Sequence, residues 1–216
     1  MNPQTQLGYC CINLNLRQIP ITVNRTCRKA TFESGGLSHV SNLALQNIRD
    51  LVEIIKWNEK NGFKVYRMSS NMFPWMSEYE LTDLPDWQKI QNILKAIGKH
   101  ANDNDVRLSF HPGPFNILSS PTEKVVLNTI KDLSTHGEIM DLLHQPRDHR
   151  AKINVHAGGA YKDHDNALRR MCANFKRLPE NVQCRLTLEN DDQANLFSVR
   201  HIYNHVYKNV GVPIVF

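Results

Sequence analysis

Long apolar runs are missing from this 216-residue chain. No stretch approaches the roughly twenty residues needed to cross a bilayer. The N-terminus, Met1-Asn-Pro-Gln-Thr-Gln6, is polar where a secretory signal would be basic and then apolar. These absences predict a soluble intracellular protein without membrane contact, cytoplasmic or nucleoid-bound, or nuclear in a eukaryote. Cysteine is scarce: five residues, at positions 10, 11, 27, 172 and 184, with no Cys-x-x-Cys spacing. That argues against a disulfide framework or a cysteine-based zinc site and predicts buried, reduced thiols. A Gly-x-Ser-x-Gly elbow, the common phosphate-loop patterns, internal repeats and low-complexity segments are absent too, which removes the familiar serine-hydrolase and nucleotide-binding signatures. Charge of one sign is not abundant either. The 26 Lys and Arg exceed the 21 Asp and Glu by enough to give a formal net charge of +5, which tolerates phosphates but does not by itself mark a nucleic-acid binder.

What is present is a regular alternation of short apolar runs with amphipathic stretches. A first strand is expected over Leu7–Leu14, followed by an aperiodic loop through Pro20, Asn24 and Gly35-Gly36. Leu45, Ile48, Val52 and Ile55 recur at helical spacing within about Asn42–Lys60, and Asn61-Gly62 supplies the stop. The pattern continues as strand Phe63–Ser69, a helix through Trp87, Ile90, Leu94 and Ile97, strand Val106–His111, helix Thr122–Leu143 and strand Lys152–His156. Helix Asn166–Lys176, strand Arg185–Glu189, a helix through Val199, Ile202 and Val206, and a last run Pro213-Ile-Val-Phe216 complete it. Such alternation requires right-handed parallel crossovers, so the class is α/β, either a doubly wound sheet or a TIM-type (β/α) barrel. Polar endings on several strands favour the barrel, where many strand ends surround one mouth. Residues 1–216 are then expected to form a single, incomplete barrel domain with about six of eight βα units, ending at Phe216 on a strand without its following helix.

Three strands end on side chains able to bind metal: Val106-Arg-Leu-Ser-Phe-His111, Ile153-Asn-Val-His156 and Leu186-Thr-Leu-Glu189. With a period of two, Ser109 and His111 oppose Leu108 and Phe110, Asn154 and His156 oppose Ile153 and Val155, and Thr187 and Glu189 oppose Leu186 and Leu188. Two imidazoles and a carboxylate at one mouth suit a divalent cation such as zinc, manganese or iron. Taken singly, each is as readily a hydrogen-bonded buried polar residue. Tyr9 and Asn13 share parity on the first strand, and Arg67, Ser69, Ser70 and Asn71 end the second. Rings can wedge against bases, amides can read their edges and arginine can grip phosphate. His201 and His205, four residues apart on one helix face, are set aside as solvent-facing.

The motifs Leu7-Gly-Tyr-Cys-Cys-Ile-Asn-Leu14, Val23-Asn-Arg-Thr26, Tyr66-Arg-Met-Ser-Ser-Asn-Met-Phe-Pro74, Leu108-Ser-Phe-His-Pro-Gly113, His156-Ala-Gly-Gly-Ala-Tyr161 and Leu186-Thr-Leu-Glu-Asn-Asp191 occur in this order. Together they resemble the UV damage endonucleases over nearly the whole chain. The resemblance implies a TIM-type barrel holding a cluster of divalent metal ions, usually manganese, that nicks damaged double-stranded DNA 5′ to a lesion. It implies metal ligation, and so catalysis, by His111, His156 and Glu189, with Glu189 bridging. It assigns Tyr9 and Asn13 to probing the damaged site and places Arg67, Ser69 and Asn71 in a site-lining motif. After His-Pro-Gly the family carries a Gln-aromatic pair that wedges into the duplex; here the pair is Pro114-Phe115, which keeps the ring and lacks the amide. Further family ligands follow the sixth strand, beyond Phe216, so the 216-residue chain is expected to bind metal weakly and cleave little.

Two other readings suit the same residues. One is a metal-dependent sugar isomerase on a similar barrel, and the other a damage-recognition module without catalysis. No obligate protein partner is indicated.

Overall fold

The computed structural model describes residues 5–191, 193 and 196–215. They fall into two compact units, one comprising the chain up to Phe110 with Ile139–Pro146, the other His111–Glu138 with Arg147 onward.

In the first unit, strands β1 (Gly8–Cys10), β2 (Val65–Met68) and β3 (Arg107–Phe110) are parallel, with Tyr9 beside Tyr66 and Tyr66 beside Leu108. Tyr66, Met68, Leu108 and Phe110 are buried, as the period-two reading requires. The first strand is shorter than expected. The backbone turns at Cys11 (φ 57°), and Asn13 lies beyond the strand as the N-cap of a one-turn helix, α1 (Leu14–Arg17), where its side chain accepts the Leu16 amide at 3.0 Å. A capping asparagine competes with extended backbone, and here the cap wins.

Helix α2 (Lys29–Lys60) begins well before Asn42. The Gly35-Gly36 pair, read as loop, lies inside it: Gly36 (φ 58°, ψ −159°) takes a conformation open essentially to glycine alone and breaks the helix without ending it. Beyond the break Val40, Ala44, Leu45, Ile48, Leu51, Ile54 and Ile55 are buried on one stripe. Helix α3 (Trp87–Asp103) buries Ile90, Leu94, Ile97 and Ala101, and its Gly98 lies so close to Leu143 that an added Cβ would sit 2.0 Å from the Leu143 carbonyl oxygen.

The second unit contains the start of helix α4 (Glu123–Leu142), then β4 (Ile153–His156), α5 (His164–Phe175), α6 (Glu180–Gln183), β5 (Leu186–Glu189) and α7 (Val199–Ile202). A π-helical turn, Tyr203–Tyr207, leads into α8 (Lys208–Val210), and Gly211 (φ 74°) ends it before β6 (Ile214–Val215). The helix expected through Val199, Ile202 and Val206 is therefore interrupted, although Ile202 and Val206 are both buried. Phe216, the expected end of the last strand, lies outside the described residues. Strands β4, β5 and β6 are parallel, and their register sets His156 beside Glu189 and Asn154 beside Thr187. Both faces of β4 and β5 are buried, the usual condition of parallel strands.

The cysteines are free but not in the core, which corrects the expectation of buried thiols: Cys10 is exposed and the other four are half-buried. Position 10 ends a three-residue strand whose outer face is open, so a thiol there has nothing above it. Among the described residues no helix is long and apolar enough to cross a membrane.

Candidate metal centre and the residues around it

His111, immediately after β3, His156, closing β4, and Glu189, closing β5, all belong to the second unit and come together. Their potential ligand atoms lie within 4.8 Å of one another. His111 Nε2 is 3.0 Å from Glu189 Oε2, and the two imidazole rings meet at 4.8 Å between centroids. The β4/β5 register dictates the His156–Glu189 neighbourhood, since residues side by side in parallel strands project to the same face.

One layer below, two residues of the same parity hold the carboxylate. Thr187 Oγ1 donates to Asn154 Oδ1 at 2.7 Å, which obliges the Asn154 amide nitrogen to face the other way, and it donates to Glu189 Oε2. Both Asn154 and Thr187 are buried. This is the outer-shell arrangement that fixes a ligating carboxylate, and the reading of strand endings alone passes over it. The signal was there: Asn154 and Thr187 share the parity of His156 and Glu189.

The donor set fits a cation. His156 Nδ1 is buried and has no hydrogen-bond partner, an arrangement that costs free energy unless a ligand meets the nitrogen. At His111, Nδ1 lies 3.3 Å from the Pro112 carbonyl and Nε2 3.0 Å from a carboxylate, and both of those oxygens can only accept. His111 Nε2 and Glu189 Oε2 are both atoms that ligate divalent cations, and their close approach is one that a shared cation would suit.

The segment after His111 is pinned. Asn116, buried, donates to the Gly113 carbonyl at 3.1 Å and to Asp132 Oδ2 at 2.9 Å, and Ile117 N donates to Thr129 Oγ1 at 3.0 Å. Pro114 and Phe115 are left outside on this turn, the Phe115 side chain 75% exposed. The loop after His156 is tied to the same segment: Ser119 Oγ lies 2.6 Å from the Gly158 carbonyl and 2.9 Å from that of Gly159. Gly159 (φ 75°) allows this approach, because a Cβ there would meet Ser119 Oγ at 2.6 Å.

Tyr9, Asn13, Arg67, Ser69 and Asn71 belong to the first unit. Tyr9 and Asn13 are brought together: Asn13 Nδ2 donates to the Tyr9 hydroxyl at 2.8 Å, and that hydroxyl donates to Asn58 Oδ1 at 2.5 Å. The Tyr9 ring lies among Trp57, Phe63 and Tyr66, and burial pushes its hydroxyl pKa up. Asn58, fully buried on α2, is a member of this cluster that the motif reading missed. An asparagine three and four residues after Ile55 and Ile54, on an apolar stripe, is the clue that marks it. Arg67 is half-buried with its Nε lacking a partner, Ser69 is buried and accepts the Asn71 amide at 3.2 Å, and Asn71 is exposed.

A model of the UV-endonuclease UvdE family matches residues 5–216. The chain belongs to that family. It is 37% identical over 214 residues to the UV-damage endonuclease of Schizosaccharomyces pombe, covering 97% of this chain and 35% of that protein. It is 31% identical over 213 residues to the UV DNA damage endonuclease of Clostridium perfringens, covering 98% of this chain and 48% of that protein. The chain thus spans about a third to a half of the length of these UvdE relatives. The crystal structure of SacUVDE matches with a TM-score of 0.84 at 28% identity, over 99% of this chain and 69% of that one. The fold class is accordingly the α/β one of the UvdE proteins, the TIM-barrel type expected from the strand and helix alternation.

Proposed function

We propose that this UvdE-family chain carries the metal-binding strand ends of a DNA repair endonuclease, which hydrolyses the phosphodiester backbone of damaged double-stranded DNA 5′ to UV photoproducts and other distorting lesions. The observation that supports it most is the convergence of His111, His156 and Glu189 above the Thr187–Asn154 support. These three residues would hold a divalent cation, manganese on the family resemblance, although two nitrogens and a carboxylate also suit zinc. When bound, the cation supplies Lewis-acid stabilisation of charge on the scissile phosphate and a nucleophilic water near neutral pH.

The chain's own residues do the rest. Asn154 keeps the Glu189 carboxylate aimed at the two imidazoles, and Glu189 in turn supplies negative charge that attracts a divalent cation to the site. Phe115, exposed on the turn that Asn116 pins to Asp132 and resting against Gly113, is the apolar wedge that enters the duplex, while Pro114 beside it contributes shape and no hydrogen bond. Tyr9 and Asn13 probe the damaged nucleotides, with Arg67, Ser69 and Asn71 lining the strand's path. Damaged duplex is cheaper to unstack than intact duplex, so one wedge serves several lesions. The family name carried by its relatives favours this reading over a sugar isomerase.

The test is incubation of the purified protein with UV-irradiated duplex and manganese. The expected product, in low yield because these 216 residues supply only part of the family's ligand set, is a nick 5′ to the photoproduct that disappears with EDTA and with His111→Ala. Nicking that survives both changes would overturn the assignment of the site, and isomerisation of small aldoses without action on DNA would replace the function.

A further inference from the structure

The loop that follows His156 carries an exposed aromatic side chain in a conformation that ordinary sequence does not require. Tyr161 (φ 52°) and Lys162 (φ 58°) are the only adjacent pair of non-glycine residues at positive φ among the described residues. Single non-glycine residues in the left-handed region are uncommon, and an adjacent pair needs surrounding structure to hold it. That structure is visible. Gly159 passes against Ser119, whose hydroxyl meets the Gly158 and Gly159 carbonyls, and Arg170 Nε donates to the Ser119 carbonyl at 2.7 Å. The Arg170 guanidinium also lies over the Tyr161 ring, 5.7 Å from its centroid, and a Cβ on Gly159 would touch the same ring at 2.8 Å.

The ring is thus fixed on one face by a cation and at one edge by glycine backbone, yet its side chain is 46% exposed. A tyrosine serving only to fill space would gain more by turning inward; this one is braced and left open. Lys162, also exposed, follows it, while the next residue, Asp163, has its carboxylate occupied by the amide of Asn166 at the N-cap of α5. An open aromatic face beside an ammonium is the combination that accepts a nucleobase and its flanking phosphate. We infer that Tyr161, braced by Arg170 and Ser119, is a stacking site for a nucleobase of the DNA strand, with Lys162 meeting the adjacent phosphate. The inference rests on the reading of the protein as a DNA nuclease and extends its contact surface to the His156 loop.

The experiment compares the wild-type protein with Tyr161→Leu, Tyr161→Phe and a matched control, Tyr203→Leu, whose side chain is exposed to the same 46% and also lies beneath a cation, Lys208. Each is assayed for steady-state nicking of irradiated duplex, for manganese binding by calorimetry, and for photocrosslinking to duplex carrying 5-iododeoxyuridine beside the lesion. Loss of one base–aromatic stack is expected to raise KM about tenfold in Tyr161→Leu with kcat and manganese affinity held. Tyr161→Phe keeps the ring and recovers most of the affinity, Tyr203→Leu matches wild type, and the crosslinked peptide contains Tyr161. If wild type nicks DNA but Tyr161→Leu has an unaltered KM and no crosslink maps to the loop, the stacking site is wrong and the nuclease reading stands. If Tyr161→Leu loses manganese affinity together with kcat, the ring is a prop for His156 and the inference is overturned. If wild type neither binds nor nicks irradiated duplex, the nuclease reading fails and takes the stacking site with it.

Discussion

A carboxylate at a strand end is mobile unless something fixes it, and at Glu189 the fixing residue is an amide whose orientation is itself forced. Thr187 can donate only to the Asn154 carbonyl oxygen, so the amide nitrogen must serve Glu189. Replacing Asn154 by Ala removes that restraint without touching a proposed ligand. Supports of this kind are typically worth about 10- to 100-fold in metal affinity. Asn154→Ala is therefore expected to weaken manganese binding by that range in calorimetry, with Thr187→Val weaker in the same direction because Asn154 then becomes free to rotate. Equal affinity in wild type and Asn154→Ala would show that Glu189 is held by other means. The three proposed ligands were legible in the sequence because a period of two tells which residues share a face. Asn154 and Thr187 share that face but carry no motif, and their pairing depends on the β4/β5 register, a long-range property. Asn58 was hidden for a different reason: its link to Tyr9 joins residues 49 apart, and only its place on the apolar stripe of α2 betrays it.

Elements were legible where a stripe of apolar residues had to be covered, and misread where one residue type does two jobs. Asn13 could extend a strand or cap a helix, and its local bond to the Leu16 amide decided for the cap. Gly36 could end a helix or break one, and the buried stripe beyond it carries α2 on. The close fit of α3 against Leu143 shows how little slack remains: Gly98→Ala would place its Cβ 2.0 Å from a backbone oxygen that cannot swing aside. Overpacking against backbone costs about 3 kcal/mol at the upper end of the usual range, which lowers Tm by roughly 6–12 °C in a chain of this size. A melting temperature within a degree or two of wild type would mean that the helix slides freely. At the start of α3, Asp86 N donates to Ser41 Oγ at 2.9 Å, and the Lys89 ammonium, with help from that hydroxyl, holds the Asp86 carboxyl below its ordinary pKa. A folded-state pKa below the unfolded value means that the carboxylate stabilises the fold above the unfolded pKa and stops doing so as pH falls through the folded one. The Tm gap between wild type and Asp86→Asn should thus be present at pH 7 and close below about pH 4, where the unfolded carboxyl is half protonated. A gap that widens on acidification would contradict the sign.

Over the whole molecule the relevant quantity is a modest positive charge, +5 from 26 basic and 21 acidic residues. On the proposed function, such a chain would not hold DNA by charge alone as a strongly basic protein does; shape-dependent contacts such as the proposed Phe115 wedge would supply the preference for damage, and Lys and Arg a non-specific background. The two contributions respond to different perturbations. Each phosphate neutralised releases a counterion and adds about −0.9 to the slope of log K against log salt; three to five contacts give a slope of about −2.7 to −4.5, and a roughly 40- to 500-fold loss of affinity for intact duplex between 50 and 200 mM salt. Removing the cation with EDTA takes away none of those lysines and arginines. Cleavage of irradiated duplex is therefore expected to stop in EDTA while binding, followed by fluorescence anisotropy, persists and keeps its salt slope. His111→Ala should reproduce that separation in the presence of manganese, because the variant loses a proposed ligand and no basic residue. Binding that collapses in EDTA at low salt would instead mean that the cation bridges protein to phosphate, and the division of labour between the strand ends and the basic surface would have to be redrawn.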